Sequence, residues 1–159
     1  MQRVNKVAEH PLYNYHLKKN IDMEKDRKFC HHNLQHFLDV ARVAYIIALE
    51  EELDISKEII YTTALLHDIG KWQQYLDGRD HAMASAIIAE EILHKCNFDD
   101  EEIQMILKAI KKHRKGDNLI TPLERVLYEG DKKSRLCPQC SSIDKCKRFE
   151  DGKMPDIYY

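Results

Sequence analysis

The sequence lacks any long apolar run. The longest stretches only from Val43 to Leu49, far short of the ~20 residues that a membrane-spanning helix needs. Its first ten residues, MQRVNKVAEH, contain no apolar core of the kind a secretory leader carries. Glycine and proline are scarce, at five and four, and no low-complexity stretch, repeat or interdomain linker is visible. An excess of one charge sign is also missing: 25 Lys and Arg face 27 Asp and Glu, for a net charge of −2. That balance argues against general nucleic-acid or membrane-surface binding, which needs a net basic field. The chain therefore reads as a cytoplasmic protein with no membrane partner. In that compartment its five cysteines are thiols or metal ligands rather than disulfides.

What is present is helical periodicity and histidine. A chain of 159 residues can bury roughly 70% of its unfolded surface without metals or disulfides. Nine of its residues are histidines, the commonest metal ligand and the side chain that titrates near neutrality. Helices are expected over Leu12–Met23 after Pro11, and over His32–Glu52. Others run from a Ser56 cap towards His67 and over Asp80–Cys96. Another begins at Asp99 with Glu102 three residues on, and the last at the capping box Thr121-Pro122-Leu123-Glu124. The stretch Trp72–Gly78 reads as a loop. The fold class is all-α, with five to seven helices in one domain over residues 1–135. Beyond about Leu136 the sequence turns to Cys, Pro, Ser and mixed charge, so 136–159 reads as an irregular appendage rather than an independent domain.

The stretch Leu65-Leu66-His67-Asp68-Ile69-Gly70-Lys71 is the most informative. Adjacent polar and charged groups at the end of an apolar helix need partners, and one metal ion satisfies both. Here the chain resembles the HD superfamily of metal-dependent phosphohydrolases. In that pattern His36 stands as the early histidine and His67-Asp68 as the doublet. His81 and His113 match the two further histidines of some members, and Asp131 the late aspartate. The resemblance covers about residues 32–135, in the right order. It implies a metal site of His36, His67, Asp68 and Asp131. With His81 and His113 it implies a two-metal site in which Asp68 bridges. His113 also shares the apolar stripe of Ile106 and Ile110. Taken singly, each histidine is more readily an ordinary core or surface residue; the ordered set is what carries the reading. His32 lies one helical turn before His36 on the expected helix and can supply a further ligand. Imidazole and carboxylate together suit one or two ions of Fe, Mn, Zn or Ni rather than Ca.

The resemblance implies hydrolysis of a phosphoester, with a metal-activated water as nucleophile, Asp68 and Lys71 in catalytic roles, and a nucleotide or similar small phosphorylated metabolite as substrate. Cations for the phosphate stand beside the expected ligands: Lys71, Arg79, Arg114, Lys132 and Arg135. Trp72 and Tyr75 can stack on a base or simply seal their loop. Two other functions share the pattern: a diiron oxygenase of the same fold, and a non-catalytic nucleotide-binding sensor. Finally, Cys137-Pro138-Gln139-Cys140 followed by Cys146 is half of a zinc or iron–sulfur motif, or a redox-active pair. A fourth ligand would have to come from Cys30, Cys96 or His31.

Overall fold

The computed structural model describes residues 1–149 and 155–159. These form eight α-helices: α1 (Gln2–Glu9), α2 (Pro11–Met23), α3 (Leu34–Glu50), α4 (Lys57–Leu66), α5 (Lys71–Asp77), α6 (His81–Lys95), α7 (Asp100–Lys112) and α8 (Pro122–Lys133). No strand occurs among the described residues. No helix there is long and apolar enough to cross a membrane.

Helix α3 is the axis of the bundle. It buries Phe37, Val40, Ala41, Val43, Ala44, Ile47 and Ala48, so apolar residues cover more than one face and it packs on both α4 and α8. Helix α7 is the opposite case. Its stripe of Ile103, Ile106, Leu107 and Ile110 is buried while its other faces stay polar; each such side chain contributes about 1.5–3 kcal/mol by leaving water. Helix α7 packs on α6 and α8 through this stripe.

The caps explain where the helices begin. Asn33 accepts from the His36 amide at 3.0 Å and starts α3. Asp80 accepts from the Met83 amide and starts α6. The expected capping box forms at Thr121 with Glu124, and the helix start expected at Asp99 proves to be a second one, with Glu102.

Three local expectations are corrected. Residues 71–77 form a two-turn helix, not a loop. Gly78 ends it in the left-handed conformation at φ 80°, so the glycine marks the end of a helix instead of a free turn. Helix α3 starts at Leu34, which leaves His32 in the loop before it. Helix α1, absent from the sequence reading, is tied down by Arg3. That side chain bonds Glu58 of α4 at 2.7 Å and Glu102 of α7 at 2.9 Å, and lies over the Phe98 ring. After α8 the chain makes three single-turn 3-10 helices at Cys137–Gln139, Ile143–Lys145 and Lys147–Phe149. Residues 150–154 of the expected appendage lie outside the described residues.

Candidate metal centre

Helix α4 ends in the turn that carries the His67-Asp68 doublet, and both residues are buried. Around them converge donors from five other segments. Asp68 turns its two carboxylate oxygens to two different groups. Oδ2 faces His32 Nε2 and His67 Nε2, each at 3.4 Å. Oδ1 faces His81 Nε2 at 3.3 Å and His113 Nε2 at 3.4 Å. Asp131, in the last turn of α8, completes the first group: its Oδ1 is 3.4 Å from His36 Nε2 and 3.9 Å from His67 Nε2. The donor atoms of His36, His67, Asp68 and Asp131 lie within 4.8 Å of one another, as do those of Asp68, His81 and His113. All six expected ligands thus come together, and Asp68 belongs to both groups.

The tautomers are set from behind. His67 Nδ1 stands 2.7 Å from the Ala64 carbonyl and His113 Nδ1 stands 2.6 Å from the Ile110 carbonyl. A carbonyl only accepts, so each Nδ1 carries the proton and each Nε2 presents its lone pair to the centre. Nevertheless, His67 Nε2 and Asp68 Oδ1 are buried with no hydrogen-bond partner. Orphaned buried acceptors are costly. His67 Nε2 belongs to the first group and Asp68 Oδ1 to the second, so a cation in each group would satisfy them, and the residues fit divalent metal with nitrogen and oxygen ligands.

Charge tells the same story. Burial lowers the His36 and His81 pKa values to about 4, which keeps both rings neutral and able to ligate. Burial alone would raise the Asp68 pKa, but the histidines that surround it outweigh burial, and the carboxyl sits well below its ordinary range. Burial acts likewise on Asp131 and is outweighed by Arg135. His113 is the exception: burial would lower its pKa, yet the Asp68 carboxylate holds it above the ordinary value.

Of the expected phosphate-binding cations, three sit at the centre. Arg135 donates from Nη2 to Asp131 Oδ1 at 2.6 Å and lies 3.4 Å from His36 Nε2. Lys132 Nζ bonds Asp131 Oδ2 at 2.6 Å. Lys71 Nζ lies 3.4 Å from His81 Nδ1, and burial lowers its pKa. Arg114, half exposed, pairs with Asp80 at the edge. Arg79 is engaged on the surface with Asp77 and Gln73. Trp72 and Tyr75 both have partners within the protein. The Trp72 indole donates to His16 Nδ1 at 3.0 Å, and the Tyr75 hydroxyl donates to Glu24 at 2.7 Å. Cys137, Cys140 and Cys146 lie apart from these donors on the chain after α8, and none of them belongs to either convergent group.

Helix α2 and its C-cap supply two residues that the sequence reading passed over. Glu24, 1% exposed, accepts from both the His32 amide at 2.6 Å and His32 Nδ1 at 2.5 Å. This carboxylate fixes His32 with Nε2 towards Asp68. Asn20, fully buried, donates to the Asp68 carbonyl at 2.9 Å and accepts from the Trp72 amide at 2.8 Å, clamping the doublet's turn. A signal for them existed. Tyr13, Leu17, Asn20 and Glu24 recur at helical spacing, so two polar residues occupy a buried stripe. His32 joins the centre too, but from a loop position, not as the helical neighbour of His36.

Two glycines allow the close approaches. A Cβ on Gly70 would meet the Ser85 amide at 2.7 Å, and one on Gly130 would meet the Val40 carbonyl at 2.9 Å. Both stand beside ligand positions, so helix-to-helix contact at these points sets how near Asp68 and Asp131 come to the histidines.

Comparison with known proteins agrees with this geometry. The HD domain family model matches residues 33–136. A protein of Clostridium beijerinckii, described only as uncharacterized, is 50% identical over the full length of both chains. A crystal structure of a predicted HD superfamily hydrolase from an uncultured Thermotogales bacterium superposes with a TM-score of 0.58 at 28% identity, covering 75% of this chain and 66% of that one. With the match spanning well over half its length and its motif residues convergent in space, the chain belongs to the HD-domain family.

Proposed function

We propose that this protein is a metal-dependent phosphohydrolase that cleaves a phosphoester of a nucleotide or similar small phosphorylated metabolite. The observation that carries the reading is the placement of Asp68, whose two oxygens face separate groups of histidines. Such a carboxylate is suited to hold two divalent ions side by side. Metal bound there would supply Lewis acidity, to activate a water as nucleophile and to offset charge developing at phosphorus. His36, His67 and Asp131 would hold one ion, with His32 adjacent. His81 and His113 would hold the other. The likeness to an HD superfamily hydrolase supports hydrolytic chemistry.

The chain's own cations serve the phosphate. Arg135 keeps one edge of its guanidinium on Asp131, and the remaining donors of its planar fork can engage phosphate oxygens. Lys132 and Lys71 flank the two groups. In a site of low exposure these charges act on developing negative charge with little screening. The bond to Asp131 holds Arg135 in register with the ligands, so charge and nucleophile share one scaffold.

The test is a panel of nucleoside mono-, di- and cyclic phosphates and sugar phosphates, assayed with Mn-, Fe- or Zn-loaded protein. Turnover is expected with at least one member. It should be lost on chelation and in Asp68→Ala, while helicity by circular dichroism is retained. Metal-loaded protein inactive across the panel would remove the hydrolase reading. Dioxygen uptake instead of phosphate release would replace it with oxygenase chemistry.

A further inference from the structure

Four of the five cysteines lie on the two segments that flank one side of the histidine centre. Cys30 stands two residues before His32, whose ring faces Asp68, and Cys137 stands two residues after Arg135, which contacts Asp131 and His36; the electrostatic influence of the Cys30 and Cys146 thiols on Cys137 agrees with this placement. Cys140 is joined to Cys137 through one 3-10 turn, its amide donating to the Cys137 carbonyl at 3.1 Å. Cys96, by contrast, is 1% exposed in the core at the end of α6, and His31 is exposed. Of the candidates for a fourth ligand, the fold therefore places Cys30 with the tail.

A second observation is independent of the sulfurs. Residues 136–149 make three successive turns, yet none of them is buried. Leu136 is 78% exposed. The segment has no apolar core of its own, and Arg148 donating to the Lys132 carbonyl at 2.8 Å is one of its few anchors to the helices. Segments this small hold a shape through disulfides or metals. A Cys137–Cys140 disulfide would close only a four-residue ring and leave the tail untethered. The Cys30 side is already fixed: Arg27 donates to its carbonyl at 2.9 Å, and Glu24 holds the His32 amide two residues on.

We propose that Cys30, Cys137, Cys140 and Cys146 form a structural zinc site, distinct from the histidine centre. Soft thiolates suit zinc, and four of them give the closed tetrahedral site typical of structural zinc. Among the described residues the sulfurs do not meet the 4.8 Å spacing that the donors of the histidine centre do; a dication would draw the neighbouring thiolates together. Arg135 and Arg148, which both bear on Cys137, offset the negative charge of a tetrathiolate. The site would staple the chain after α8 to the loop before α3. It thereby links the segment that follows Asp131 to the segment that carries His32.

Cobalt substitution separates the two centres, because only thiolate ligation gives sulfur-to-cobalt charge transfer in the near ultraviolet. That band should saturate at one cobalt per chain, with tetrahedral ligand-field bands in the visible. It should be lost in Cys30→Ser and in Cys140→Ser, and kept in Cys96→Ala and in Asp68→Ala. Zinc-free protein should be cut by trypsin at Lys145, Lys147 or Arg148, and zinc should protect it. The site is overturned if the band is absent in the wild type or survives Cys30→Ser. It is also overturned if the purified protein carries iron and sulfide, or if metal-free protein titrates with fewer than its five thiols.

Discussion

Replacing Gly130 with alanine should destabilise the fold and loosen the metal centre together. On an isolated helix the same change is favourable by roughly 1 kcal/mol, because glycine is the poorer helix former. Here the new methyl group would stand 2.9 Å from the Val40 carbonyl oxygen, 3.0 Å from the Ala44 Cβ and 3.2 Å from the Ala44 amide nitrogen. Two of those three neighbours are backbone atoms of α3, which cannot rotate aside. Carbon contacts relax near 3.5 Å, so α8 must retreat by roughly half an ångström. Overpacking of this kind costs about 1–3 kcal/mol, which exceeds the propensity gain and leaves a net loss of about 1 kcal/mol. For a domain of this size that is a fall in Tm of roughly 2–4 °C. Asp131 is the next residue, so it moves with the helix and its 3.4 Å approach to His36 widens. Thermal unfolding in chelator reads the packing effect, and titration with Mn or Zn reads the centre. A rise in Tm would refute the reasoning, since it would mean that α8 and α3 are not in contact at this glycine.

Glu24→Gln should weaken metal affinity by roughly 10–100-fold, the usual effect of losing a carboxylate behind a histidine ligand, measured by isothermal titration; unchanged affinity would place His32 outside the metal's reach. Saturating metal at 100 times its Kd should raise stability by about 2.7 kcal/mol, or roughly 5–11 °C in Tm, and Asp131→Ala should lose most of that shift in a scanning fluorimetry series. Arg3→Ala should cost about 1 kcal/mol in urea unfolding at neutral pH. Because the Arg3 hydrogen bonds hold the Glu58 and Glu102 carboxyls below their ordinary values, the stabilisation is complete above roughly pH 4.3. It is lost as pH falls through the lower folded-state values, so wild type and variant should converge in acid.

Much of this centre is written in local sequence. The capping boxes at Asp99 and Thr121, the stripe of α7 and the order of His36, His67-Asp68, His81, His113 and Asp131 are legible because short-range spacing encodes them. Other features depend on tertiary partners. Helix α5 is short, with none of its residues buried, so no apolar period announces it; its start is fixed by Asn20 on the Trp72 amide. Helix α1 carries only Val4 and Val7 inward and depends on the reach of Arg3 to α4 and α7. His32 illustrates the limit of spacing arguments. Its four-residue offset from His36 suggested a shared helix face, whereas the loop and Glu24 bring it in. Arg79 shows the opposite: adjacency to a ligand in sequence did not bring its side chain to the centre, because Asp77 and Gln73 are nearer.

The donors of the centre come from the loop before α3, α3 itself, the turn after α4, the start of α6, the end of α7 and the last turn of α8. No one of these segments can open without withdrawing a ligand from the rest. Loaded with metal, the bundle should therefore behave as a single latch, in which local fraying of the ligand-bearing helices is suppressed and only a concerted opening releases the ion. The rate at which bound metal exchanges with free metal then becomes a clock for that concerted opening, one that can be read without unfolding the protein.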